Sequence, residues 1–162
     1  MAGEGASWVT DEFVDRAQIQ SCFIMRIPAG ANLIQRLRAL IELKEARRAA
    51  ILSAVGSVRD VTFRNLKQGV DMPIDKDKIV DATHEGPFEL LSLEGNVIPM
   101  AGSPVVHLHA VLGTPDGTVL GGHVFDATVF TTVEVVAAEI TNTFVVKARD
   151  EATGMAELRI AE

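Results

Sequence analysis

Three of the four histidines in this 162-residue chain fall within the stretch Pro104–Phe125, PVVHLHAVLGTPDGTVLGGHVF. Imidazole is the commonest protein ligand for transition metals, and three neutral imidazoles with a free fourth position make an open zinc site. Whether His107, His109 and His123 can share an ion depends on the chain turning back between them. Thr114-Pro115-Asp116-Gly117-Thr118 supplies that turn. Proline presets φ at the second position, Asp suits the third, and Gly accepts the left-handed conformation that closes a three-residue loop with a bulge. Five residues back from Thr114 stands His109, and five on from Thr118 stands His123, so the two face each other across a hairpin. His107, two residues before His109, shares its face by the period-2 alternation of a strand. It lies diagonal to His123 and within side-chain reach. Gly121 and Gly122 leave open space beside the three rings. A slip of one residue in the turn would send His123 to the other face. A lone strand histidine is ordinarily a hydrogen-bonded core or surface residue, and the independently placed third ring is what lifts this set above that reading. Zinc is the first expectation, although imidazole also suits nickel, copper and iron.

The elements around the hairpin must hold it in place. Val105–Leu112 is β-branched and aliphatic, as half-buried strands are, and Val119–Val129 is the returning arm. Upstream, residues 1–16 read as a tail anchored by Trp8 and Phe13, and 17–162 as one domain. Gln18–Ile27 reads as a strand ended by Pro28-Ala29-Gly30. Asn32 then caps a helix running to about Ala46, with Gln35 as its capping-box partner. Leu33, Ile34, Leu37, Leu40 and Ile41 form its buried stripe. Ala49–Val55 and Val58–Leu66 read as two strands separated at Gly56-Ser57, and Lys67–Glu85 as mostly loop, with a short strand at Lys78–Ala82 and a surface His84. Strand character resumes over Gly86–Ile98, and Pro99–Pro104 loops into the histidine hairpin. Beyond a Thr131-Thr132 turn, Glu134–Thr141 reads as a strand, and Phe144–Ala148 with Glu157–Ala161 as a last hairpin around Glu151–Gly154.

Glu89 and Glu94 interrupt an apolar segment and, five residues apart, are expected on opposite faces. Either is a candidate acid/base group near a metal. The plainer expectation pairs them with arginines such as Arg59 or Arg64, and Arg64 is itself a third candidate for a catalytic role.

Composition bounds the partners. An apolar content of 48% with six prolines describes a folded chain with a real core. No apolar run reaches membrane-spanning length, and the first residues lack the basic-then-apolar order of a signal peptide. The expectation is therefore a cytoplasmic protein without membrane contact. The lone Cys22 cannot form an intrachain disulfide and reads as a small core residue. A net charge of −7 argues against a chain that grips nucleic acid over its whole surface. Arg36, Arg38, Lys44, Arg47 and Arg48 read as a solvated helix face.

The chain resembles the plants and prokaryotes conserved (PPC) domain family in its prokaryotic stand-alone form. The likeness runs from about Ser21 to Ile160 and is carried by IMRIPAGANLIQRL, SVRDVTF, GPFELLSLEGNV, VHLHAVLGTPDGTVLGGHVF and TTVEVV. It implies an α+β fold, a strongly bent and mostly antiparallel sheet flanked by one or two helices. It also implies a homotrimer with a histidine metal site at His107, His109 and His123. Plant relatives carry AT-hooks ahead of this domain, and prokaryotic members are often labelled DNA-binding by that association. No Arg-Gly-Arg-Pro core occurs in this chain, so the physical basis of that label is missing. The strand-borne His-x-His…His arrangement is also similar to that of acetolactate decarboxylase, a zinc lyase. Three functions follow as expectations: a trimeric metal-binding domain with a regulatory or assembly role, a small-molecule zinc lyase or hydrolase, and a direct DNA binder.

Overall fold

The computed structural model describes residues 14–161, so Trp8 and Phe13 lie outside the described residues. Strand β1 covers Gln18–Pro28, helix α1 covers Leu33–Leu43, and β2 covers Ala49–Leu66. A one-turn 3-10 segment, Lys76–Lys78, leads into β3, Ile79–Met100. Strand β4 is Ser103–Gly113, β5 is Val119–Thr141, and β6 (Val145–Arg149) pairs with β7 (Ala156–Ile160) as a separate hairpin. The main sheet is antiparallel in the order β1-β5-β2-β3-β4, and β5 pairs with β4 as well, so the sheet curls back on itself. The expected bent antiparallel sheet is present, flanked by one α-helix.

The helix forms where its capping residue dictates. The Gln35 backbone N–H donates to Asn32 Oδ1 at 2.9 Å, satisfying one of the helix's orphan donors. Leu33, Leu37 and Ile41 are buried against the sheet, each contributing about 1.5–3 kcal/mol. The helix stops three residues short of Ala46, because Glu45 turns the chain out at φ +56°. Arg36, Arg38, Lys44 and Arg47 are exposed as expected, whereas half-buried Arg48 donates its Nε–H to the Val145 carbonyl.

Several breaks expected from local sequence are absent, for one shared reason. Strand β2 runs through Gly56-Ser57 because it has partners on both sides, Leu90 and Glu89 of β3 and Val133 of β5, and the Ser57 and Thr131 hydroxyls meet at 2.6 Å. The expected Thr131-Thr132 turn is instead a bulge within β5, where the register against β2 shifts between Gly56 and Val58. In the polar 67–85 segment the strand expected at Lys78–Ala82 is present but does not stop there: β3 begins at Ile79, its first residues pair with Leu66, Asn65 and Arg64, and it runs on to Met100. His84 is half-buried, its ring 6.1 Å from Phe63. Cys22 is exposed rather than in the core: alternation along β1 turns Met25 and Ile27 inward and Cys22 and Ile24 outward.

Candidate metal centre

The hairpin closes as its five-residue turn requires. Thr114 N–H donates to the Thr118 carbonyl at 2.9 Å, and Gly117 takes φ +85°. Asp116 accepts the Thr114 and Thr118 hydroxyls and the Thr118 N–H. These bonds to its ionised form hold the Asp116 carboxyl down to about 2. A carboxyl lowered on folding stabilises the protein above its ordinary value of 3.8, and the gain disappears as pH falls toward 2. We therefore expect Asp116→Ala to lower the melting temperature at pH 7, with the gap from the parent protein closing between about pH 4 and 2. A gap independent of pH would contradict this.

From that turn the register places His109 directly opposite His123. The three imidazoles converge. Ring centroids stand 5.3 Å apart for His107–His109, 4.9 Å for His107–His123 and 5.3 Å for His109–His123. One donor nitrogen from each lies within 4.8 Å of the others. Nitrogens sharing a tetrahedral zinc at 2.0–2.1 Å stand about 3.3 Å apart, so small side-chain rotations would bring them onto one ion. Leu108, between His107 and His109 in sequence, faces the opposite way and is fully buried.

Neighbouring strands brace the backbone that carries the rings. The His123 backbone N–H donates to Asn65 Oδ1 at 3.0 Å, and Asn65 occupies the space beside Gly122. A Cβ on Gly122 would meet Asn65 Oδ1 at 2.3 Å, so this position admits no side chain while Asn65 holds the strand. Loss of such supporting groups typically costs 10–100-fold in metal affinity. Asn65→Ala should weaken metal binding by roughly tenfold or more, read by competition with a chromophoric chelator; unchanged affinity would dismiss Asn65 as a support. On the other side, Asn96 is paired with His107, and its buried Oδ1 has no hydrogen-bond partner among the described residues. An unsatisfied acceptor on the residue opposite His107 is the kind of group that supports a metal-bound histidine by taking its ring N–H.

The donors also suit a metal electrically. Burial lowers the His107 pKa to about 4, helped by Lys147, His123 and His109. His123 is lowered by burial first, then by His109, Lys147 and Arg64. Both rings are thus neutral at pH 7, with lone pairs free to coordinate.

The rings line a cavity of about 380 Å³ shared with Arg64, Asn65, Val106, Lys147 and Met155. No fourth His, Cys, Asp or Glu joins the cluster among the described residues. Of the three acid/base candidates, Arg64 lines this cavity but is occupied, donating twice to Asp81 at 2.8 and 2.7 Å and stacking 3.4 Å over the Phe125 ring. Glu94 stands opposite His109 across β3–β4 and lines a shallow depression on that ring's other side. Glu89 lies opposite Gly113, away from the imidazoles, beside Ser57 and Thr131. The glutamates share one face instead of pointing to opposite faces. A bulge between Leu90 and Ser92 inserts a residue and reverses the parity of everything beyond it. Neither pairs with Arg59 or Arg64, whose partners are Asp60 and Asp81. Lys147, Asn65 and Asn96 were not singled out from the sequence. The one available signal was a lysine set in the apolar run VVKA.

Among solved structures, a metal-containing protein from Archaeoglobus fulgidus is 32% identical, with a TM-score of 0.77 over 89% of this chain and 96% of that one. A plant- and prokaryote-conserved protein from Pyrococcus horikoshii matches at 23% identity and TM-score 0.76, over 89% and 96% of the two chains. Acetolactate decarboxylase from Bacillus subtilis subspecies spizizenii has the related fold at greater distance, with 17% identity and a TM-score of 0.53 over 72% of this chain and 52% of that one. The bifunctional protein GlmU of Synechococcus sp. strain JA-3-3Ab is 29% identical over 137 residues, 84% of this chain. The chain spans about a fifth of the length of that curated relative. The model of the Plants and Prokaryotes Conserved (PCC) domain matches residues 14–141, which contain all of β1 to β5 and the three histidines. This chain belongs to the Plants and Prokaryotes Conserved domain family.

Proposed function

We propose that this domain holds one divalent metal ion, zinc first, on His107, His109 and His123, and presents the ion's open position to a small molecule. The observation that carries the reading is the convergence of three imidazole donors on a cavity with no fourth protein ligand beside them among the described residues. Open three-ligand sites are the pattern of metals that bind or activate small molecules, whereas structural zinc sites are closed by four protein ligands. Zinc bound there would supply a Lewis acid and lower the pKa of a bound water. The assembly we propose is a homotrimer, in keeping with the family resemblance and with Leu91, Val111 and Val119, apolar residues left exposed near the tip of the histidine hairpin.

Glu94 supports a second reading, a zinc-dependent lyase or hydrolase. It stands in one cross-strand row with His109 and His123 and is the carboxylate this reading would use as acid or base. Direct DNA binding is the weakest of the three. A solved neighbour from Bacteroides thetaiotaomicron carries that description, at 22% identity, but a net charge of −7 opposes the phosphate neutralisation on which such affinity depends.

Elemental analysis of the purified protein, combined with light scattering, tests the main reading. The expected result is one divalent ion per chain in a particle of three chains. Protein that remains metal-free after equilibration with zinc would overturn the metal assignment.

A further inference from the structure

Strands β6 and β7 lie beyond the family match, which ends at Thr141. They nevertheless contribute three residues to the histidine cavity: Lys147 from β6, and Met155 and Ala156 from the turn and start of β7. Lys147 is only 6% exposed, one of the few buried polar or charged side chains among the described residues. No hydrogen bond or ion pair from its Nζ is formed among the described residues; burial pushes its pKa down, and Glu157 on β7 opposes that shift.

Charge balance then limits what the cavity can accept. Three imidazoles bring no negative charge to a metal dication, and the cluster contains no carboxylate. The Arg64 charge is already answered by Asp81. A loaded site therefore brings a dication and the Lys147 ammonium to one cavity, and their repulsion favours an anion lying between them. Apart from Asn65, the rest of the lining is apolar: Leu66, Ile79, Val105, Val106, Met155 and Ala156.

Resting on the metal reading above, we propose that the site takes a small aliphatic carboxylate, one oxygen on the metal's open position and the other accepting from Lys147 Nζ. The C-terminal hairpin is thus the part of this chain that selects the ligand. A carboxylate fits because its two oxygens can serve the two cations at once while its hydrocarbon body meets the apolar wall. A neutral alcohol of the same shape offers no charge to either.

The test uses the full chain loaded with cobalt(II), whose visible absorption reports both occupancy and the ligand in the open position. Isobutyrate should change the wild-type spectrum saturably, and isobutyl alcohol should not. Lys147→Met, which removes a positive charge beside the site, should load cobalt at least as tightly as the parent yet bind isobutyrate at least tenfold more weakly, with Lys147→Arg recovering part of the loss. Equal isobutyrate affinity in parent and Lys147→Met, or equal response to acid and alcohol in the parent, overturns the carboxylate assignment and leaves the metal site standing. Failure of the parent to bind cobalt removes the metal reading and this inference together. Should Lys147→Met not fold, the acid–alcohol comparison on the parent decides alone.

Discussion

His107→Ala and His109→Ala should each lose the metal while keeping the fold. With one of three imidazoles gone, affinity is expected to drop by more than the roughly 10–100-fold that follows loss of a mere supporting partner. Elemental analysis after dialysis should then fall from one ion per chain toward none. The fold should survive because both side chains point away from the core: the hydrophobic cluster is built from the opposite face of β4, with Leu108, Ala110 and Leu112, and from Leu33, Leu37 and Ile41 of α1. The far-ultraviolet circular dichroism of the metal-free variants should match that of the metal-free parent. Full metal content in both variants would sink the triad. Collapse of both folds would mean that the rings are core residues after all.

Leu108→Ala should do the reverse. This residue is completely buried between the two histidines in sequence and faces the helix side of the sheet. Truncating a leucine in such a place costs about 3 kcal/mol, within a usual range of 2–5. Urea denaturation should show a lower midpoint with little change in slope. Protein that remains folded should still bind one ion per chain, since no ligand has moved faces. Neighbours one residue apart would then separate stability from metal binding, as strand alternation demands. A metal defect in Leu108→Ala as large as that of His109→Ala would show that the site depends on core packing more than on the ligand set.

The hairpin was legible in the sequence because its determinants are local. Thr114–Thr118 fixes the turn, the turn fixes the register, and the register puts His123 opposite His109. The stripe of α1 was legible for the same reason, through its period. What could not be read were events set by distant partners. The continuity of β2 past Gly56 comes from flanking strands that override a local breaker. The shared face of Glu89 and Glu94 comes from one inserted residue in β3, which no period-2 count includes. Cys22 was misplaced because both alternating sets in QIQSCFIMRI contain apolar residues, and only pairing with β5 decides which set faces inward. Lys147 joined the cavity through the docking of a hairpin whose strands are readable but whose place against the main sheet no local pattern announces.

The strand partners also set an order of assembly. All three imidazoles lie within one hairpin, so closing a short loop is enough to gather them, an inexpensive step in chain entropy. Strand β1 is different, since Gln18 pairs with Thr141 at the far end of β5. During synthesis β1 leaves the ribosome first and must wait, unpaired, until almost the whole domain has followed it. Its outward Ile19 and Ile24 make that waiting strand a sticky edge for other nascent chains. The same topology that gathers the rings early leaves the first strand without a partner until β5 is complete.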